Sequence, residues 1–219
     1  MLTQGRRLAC AVACVLVAGC APTSVPAAGP QPGSSATILE GLPRAQSVAD
    51  PYRRAAFGAA WADTDGNGCN QRDDVLYRDA DPGQLLTVKV KGSCDHDVVA
   101  GTWVDPYSGR SMVFTNLLDP KQAQQLQIDH TVSLSDAWAT GASTWTADER
   151  LAFATDLSNL RAVDGAQNMA KADAGPTRWL PAINRCAFVT RYLSTKARYH
   201  LGVTDKDRGQ LRILIRDCP

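Results

Sequence analysis

Residues 126–130, Leu126-Gln-Ile-Asp-His130, alternate apolar and polar side chains and end on a carboxylate beside an imidazole. Such alternation marks a half-buried strand. Adjacent strand side chains point to opposite faces. Asp129 and His130 can therefore serve one site only where the strand ends or bends, so the pair belongs at a strand terminus. Residues 133–156 read as largely helical, and Thr146-Ala-Asp-Glu149 is a capping box opening a helix through Phe153. Leu160 to Val163 reads as the returning strand, and Gly165 opens a helix carrying Asn168 and Lys171. The expected order is strand, helical insertion, strand, helix: an α+β core.

The side chains gathered on those elements suit one kind of chemistry. Neutral imidazole is the side chain best fitted to take a proton from water near pH 7. A hard divalent cation prefers oxygen ligands, which Asp and Asn supply. Such a cation can hold a phosphate oxygen and stabilise a leaving oxygen. The chain has three His, and of these only His130 has both an acidic neighbour and this strand-like approach; His96 and His200 read as surface or packing residues. Asn159 and Asn168 follow at Asp156-Leu-Ser-Asn-Leu160 and Asn168-Met-Ala-Lys171. Asn is favoured in turns, so a turn-capping Asn159 and a helix first-turn Asn168 without ligand duty are the competing structural readings.

Upstream, residues 52–62 read as a short helix or turn around Phe57 and Trp61. Val75-Leu-Tyr77 reads as a short strand, Leu85–Val90 as a clearer one, and Val98–Val104 as another, closed by the turn Asp105-Pro-Tyr-Ser-Gly109. Ser111–Asn116 continues that sheet. Residues 63–74 satisfy the spacing of a calcium loop. Asn70 at a usually apolar position, Cys69 within the loop and the lack of flanking helices favour a polar turn leading into a strand.

The N-terminus is a targeting segment. Arg6-Arg7 precede the apolar run Leu8–Ala18, and Val17-Ala-Gly-Cys20 resembles a bacterial lipobox. That pattern implies a signal peptide over residues 1–19 and a lipid on Cys20. An ordinary signal peptide cleaved further on is the alternative. Residues 20–45 form a Pro/Ala/Ser/Gly-rich linker, and 46–219 one domain. The reading is an exported protein on the outer face of the cell membrane, tethered through Cys20, or else secreted.

Cys10 and Cys14 leave with the signal, and four other Cys lie beyond Cys20. An even number in an exported chain points to two disulfides, with three possible pairings. Proximity favours Cys69–Cys94 and Cys186–Cys218. The second pair also follows from helix arithmetic. Cys186 lies 13 residues before Tyr199 on one helical run, and Cys218 lies 13 after Asp205 on the next. Each run covers about 20 Å, so an antiparallel hairpin returns both thiols to one end. Pro181 suits the start of the first helix, and Leu211, Ile213, Leu214 and Ile215 supply the apolar side of the second.

Charge is balanced overall but not along the chain. Residues 171–219 hold ten Lys/Arg against four Asp, a net of +6. A basic face there suits phosphates, and a solvated helix face explains it equally well.

The ordered set Trp61–Leu76, Gly101–Gly109, Ile128–Val132, Asp156–Leu160 and Asn168–Lys171 spans about half of the chain. It resembles the HNH, or ββα-metal, nucleases, and most closely the C-terminal nuclease domain of GmrSD-type restriction enzymes and small exported actinobacterial proteins that carry it. The resemblance implies a ββα-metal core, here with an added N-terminal antiparallel β region and a C-terminal helical hairpin. It implies His130 as general base, Asn159 as the residue that holds the connecting loop and orients it, and Asp129 and Asn168 as metal ligands. The last signature position is Asn168 rather than His, which points to Mg²⁺ or Mn²⁺ before Zn²⁺. Lys171, Arg161 and Arg178 are candidates to hold phosphate. The implied partner is nucleic acid, DNA before RNA, with no protein partner inferred. The implied activity is metal-dependent phosphodiester hydrolysis; the alternative is a non-catalytic surface lipoprotein on a degenerate nuclease scaffold.

Overall fold

A computed structural model describes residues 33–218. The signal segment, Cys20 and the first part of the linker lie outside the described residues. Helix α1 (Ser35–Gly41) corrects the linker reading of 20–45 at its C-terminal end. Ser34 caps it, accepting from Thr37 N, and Leu39 and Leu42 are buried against helices α7 (Arg185–Arg198) and α8 (Asp205–Arg216). Composition hid this helix, because its stability comes from distant packing rather than from its own apolar content.

A 3₁₀ turn at Arg54–Phe57 fits the expected turn around Phe57. Helix α2 (Gln71–Asp79) replaces the strand expected at Val75–Tyr77. Asn70 is its cap: the side-chain oxygen accepts from Arg72 N and Asp73 N, and Asp73 and Asp74 stand in the first turn. A capping Asn followed by acids favours a helix start, and that helix takes the place of the polar turn and strand expected here. Three antiparallel strands follow in the order β1 (Thr87–Lys91), β2 (Cys94–Val104), β3 (Ser111–Phe114). A single turn of helix, α3 (Pro120–Ala123), leads to β4 (Leu126–His130).

The helical insertion comprises α4 (Leu134–Thr140), a 3₁₀ turn and α5 (Ala147–Thr155). The Thr146–Glu149 capping box opens α5 as expected. Strand β5 (Leu160–Asp164) then pairs antiparallel with β4, matching His130 with Leu160 and Asp129 with Arg161. Helix α6 (Gly165–Lys171) turns back over the hairpin. Gly165 is required there: a Cβ would lie 2.5 Å from Gln124 O.

Residue alternation puts the two hairpin faces in different surroundings. Leu126, Ile128, Leu160 and Ala162 pack with Val75 and Leu76 of α2 and Trp103 of β2. Val163 on the other face packs with Tyr107 and Phe188. A larger core joins α1, α4, α5, α7 and α8 around Phe57, Phe153 and Leu193.

Both expected disulfides are present, Cys69–Cys94 and Cys186–Cys218. The second joins the start of α7 to the end of α8, so the two run antiparallel. Helix α7 begins at Arg185, not at Pro181, after Asn184 in a left-handed conformation. On α8, Leu211 is buried and Leu214 and Ile215 pack against the core, whereas Ile213 is exposed. Positions i, i+3 and i+4 make one helix face, and Ile213 falls off it. The Cys186–Cys218 bond has a sequence separation of 32. Its removal by a Cys186→Ala/Cys218→Ala double substitution should lower unfolding free energy by roughly 3–4 kcal/mol in the chain-entropy picture. Urea unfolding checks this; an unchanged midpoint would show that the hairpin holds without the bond.

Candidate active site

Strand β4 ends at His130, and three contacts from one residue fix where it ends. Asn159 is completely buried. Its Oδ1 accepts from Val132 N at 2.9 Å, its Nδ2 donates to Val132 O at 3.1 Å, and its backbone carbonyl accepts from Thr131 N at 2.8 Å. The side chain thus clamps the segment just after His130 onto the start of β5. Asn159→Ala would orphan a buried N–H and a buried C=O, so a loss of about 2–4 kcal/mol is expected. Chemical unfolding reads that loss, and a cost below about 1 kcal/mol would remove the clamp from the account.

His130 turns its ring toward α5. Nε2 lies 2.8 Å from Ala154 O. A carbonyl oxygen only accepts, so Nε2 carries the hydrogen. Burial holds the imidazole pKa down at about 4, against the bond to Ala154 O; the positive charges of Arg54 and Lys171 depress it further. The ring is therefore neutral near pH 7, and Nδ1 holds the free lone pair. A neutral imidazole with one nitrogen anchored and the other bare is organised as a proton acceptor.

Asp129 faces the other way, as strand alternation requires. It is 5 % exposed. Tyr107 OH donates to Oδ2 at 2.5 Å and Lys171 Nζ to Oδ1 at 2.8 Å. The same ammonium donates to His130 O at 2.9 Å. Burial raises the Asp129 carboxyl above its ordinary range, and the Lys171 ammonium and Tyr107 hydroxyl partly offset this. The Tyr107 phenol is held well above its usual pKa by burial and by the neighbouring Asp129 charge. Asn168 does not join this group: its Nδ2 donates to Gln127 Oε1 at 2.8 Å.

This arrangement does not fit a divalent ion held between Asp129 and Asn168. Both carboxylate oxygens already accept a donor, an ammonium is seated on one of them, and the Asn168 amide is turned to a third residue. Among the described residues, the one cluster of three candidate ligands is Cys69, Cys94 and His96, and its two sulfurs are joined to each other. The 63–74 loop is knitted by its own turns: Asp63 accepts from Gly66 N and Gly68 N, and Asn67 donates to Asp65 and Asp74.

The three expected phosphate cations part company. Lys171 is corrected: its side chain has no exposure and is spent on Asp129 and His130 O. Arg178 is exposed and paired with Asp173. Arg161 lines a cavity with Tyr107, Thr131 and Arg191. Tyr107 and Arg191 were not anticipated. Tyr107 lies in the Asp105–Gly109 turn, within the Gly101–Gly109 stretch of the family resemblance, which assigns that side chain no role.

Asp105 ties that turn to the hairpin, accepting from Ser108 N and from Asp164 N. Asp164 in turn caps α6 and pairs with Arg110. The turn, the hairpin and α6 are thereby held together, which is what brings Tyr107 and Lys171 to Asp129.

Comparison with known proteins bears on this arrangement. The GmrSD restriction endonucleases, C-terminal domain, match residues 97–212, which include β4, β5, α6 and most of α8. An "Uncharacterized secreted protein" of Arthroderma benhamiae is 35% identical over 216 residues, covering 96% of this chain and 98% of that protein. No solved structure matches. With a hairpin closed on His130, a clamping Asn159 and a match over more than half its length, the chain belongs to the family of GmrSD restriction endonuclease C-terminal domains.

Proposed function

We propose that this protein is an exported nuclease that hydrolyses phosphodiester bonds of nucleic acid, DNA before RNA, with His130 as the general base. The observation that carries the reading is the His130 ring itself. Nε2–H is anchored on Ala154 O and Nδ1 is left to accept a proton from water. Asn159 acts as the positioning residue, because it fixes the two residues that follow His130. Two disulfides and the name of the secreted relative support export. Lipidation at Cys20, and with it attachment to a membrane, remains part of the proposal from the lipobox-like sequence.

The family resemblance implies a divalent cation, Mg²⁺ or Mn²⁺. When bound, such an ion would supply charge stabilisation at the phosphate. Asp129 is the oxygen ligand the resemblance assigns, and Lys171 occupies it. The residues therefore do their work here as a base, a clamp and an internal ion pair. That same pairing favours a second reading, a non-catalytic binding protein on a nuclease scaffold. Incubating supercoiled plasmid with the purified, disulfide-intact protein, with and without EDTA and with added Mg²⁺ or Mn²⁺, separates the two. Nicking that EDTA abolishes and metal restores is the expectation from the family, and it would put the ion on groups other than the Asp129–Asn168 pair. Plasmid left intact under every condition would favour the scaffold.

A further inference from the structure

We infer that the cavity between the hairpin and α7 is a socket for a phosphate oxyanion of the nucleic-acid strand; this rests on the nuclease reading and places a substrate contact that the reading lacks. The cavity measures about 170 Å³ and is lined by Tyr107, Thr131, Arg161, Asn184, Phe188 and Arg191, among others. That is several times the roughly 30 Å³ that one water takes up in the liquid. Phe188 and Arg191 are three residues apart and share one face of α7, and Asn184 immediately precedes that helix. Opposite them, Arg161 pairs across the hairpin with Asp129 and points to the same side as that carboxylate.

Two observations point to an anion. The first is Thr131, the residue after His130. It is 1 % exposed, and its Oγ1 is buried without a hydrogen-bond partner among the described residues, although it lines the cavity. A buried hydroxyl normally finds a partner, and here an incoming oxygen would be one. The second is charge. Arg78, Arg161 and Arg191 are gathered around one carboxylate, Asp79. Arg78 holds it through both oxygens, at 2.7 and 2.8 Å, and Arg161 reaches it only at 3.5 Å. Arg191 spends one nitrogen on Ser158 O and has no carboxylate partner among the described residues. Tyr107 adds no negative charge, because its hydroxyl keeps its proton on Asp129. Burial first, and then the charge of Arg191, pull the Arg161 pKa down to about 10, against the opposing charge of Asp79. Guanidinium groups with a hydroxyl between them are suited to phosphate recognition. Thr131 follows the base in the chain, whereas Arg161 shares the Asp129 face, opposite the side of the His130 ring, so such a socket would hold the strand where it passes over that other side of the hairpin.

The test uses a fluorescein-labelled DNA duplex, its binding followed by anisotropy in EDTA so that no turnover intervenes. Thr131→Val removes the hydroxyl and keeps the shape. It should leave stability unchanged or raised, because an orphaned group is gone, yet weaken DNA binding by about tenfold. Arg191→Gln should weaken it at least as much and reduce the salt slope by about one. Arg212→Gln, which breaks an exposed pair with Glu40, is the control for loss of a surface charge and should bind like wild type. Millimolar inorganic phosphate should displace DNA from wild type and do so less effectively from Thr131→Val.

Wild-type affinity in both Thr131→Val and Arg191→Gln would overturn the socket. So would DNA binding indifferent to Thr131 while inorganic phosphate alone depends on it, since the cavity would then take free phosphate. The nuclease reading is judged separately by nicking with the same preparations. A protein that does not cleave but loses DNA binding in Thr131→Val keeps the socket and loses the activity. One that cleaves while every variant binds normally keeps the activity and loses the socket.

Discussion

Replacing His130 with Ala is expected to lower the rate of phosphodiester hydrolysis by about 10²–10⁴-fold, the usual worth of a positioned general base. The fold should survive. Among the described residues the ring makes one hydrogen bond, to Ala154 O, from the end of a strand whose register is set by pairing with β5 and by the Asn159 clamp. Ala removes donor and ring together. It leaves Ala154 O unpaired at the end of α5, a cost of about 1–3 kcal/mol. A folded variant with a collapsed rate would separate the chemical role from a structural one. Initial nicking rates and a thermal melt on the same sample check both halves, and a variant retaining full activity would remove His130 from the mechanism.

The second large effect concerns stability. Lys171→Met should destabilise the protein by about 3–5 kcal/mol, because it strands the Asp129 carboxylate, 5 % exposed, with the Tyr107 hydroxyl as its one side-chain donor among the described residues. It also removes the donor to His130 O. Asp129→Asn in the Lys171→Met background should recover part of that loss, since the uncompensated charge is gone. Chemical unfolding of the single and double variants, closed as a double-mutant cycle, measures the coupling. A Lys171→Met variant within about 1 kcal/mol of wild type would mean that solvent reaches Asp129 and that the pair is not a buried one.

These two side chains also show how far the sequence could be read. Strands β4 and β5, the α5 capping box and the Cys186–Cys218 hairpin were legible because their signals are local: alternation, a Thr-x-x-Glu pattern and helix spacing. The strand end at His130 was expected from alternation together with the premise that Asp129 and His130 serve one site; the strand does end there, but the two side chains face opposite ways. The partners of Asp129 were not legible. Tyr107 comes from 22 residues before it and Lys171 from 42 after it, and no local pattern joins residues so far apart. The same limit hid α1, whose Leu39 finds its core through elements far along the chain, α7 and α8 among them. Helix α2 was missed for the opposite reason. Asn70, Asp73 and Asp74 carry a local signal, but they sit in a Gly- and Asp-rich stretch whose turn chemistry dominated the reading.

The central claim is that His130 presents a bare Nδ1 at neutral pH. Ring-nitrogen NMR of the three histidines tests it most directly, because the two nitrogens of each tautomer resonate at different positions. His130 should show hydrogen on Nε2 and a lone pair on Nδ1, and stay neutral as pH falls until about 4. His96 should behave differently. Burial works against its charge, but hydrogen bonds and the charges of Asp74 and Asp95 carry its pKa above the ordinary value. A His130 ring that is an imidazolium at pH 7, or one with its hydrogen on Nδ1, would contradict the account, since neither has an Nδ1 lone pair to take a proton from water.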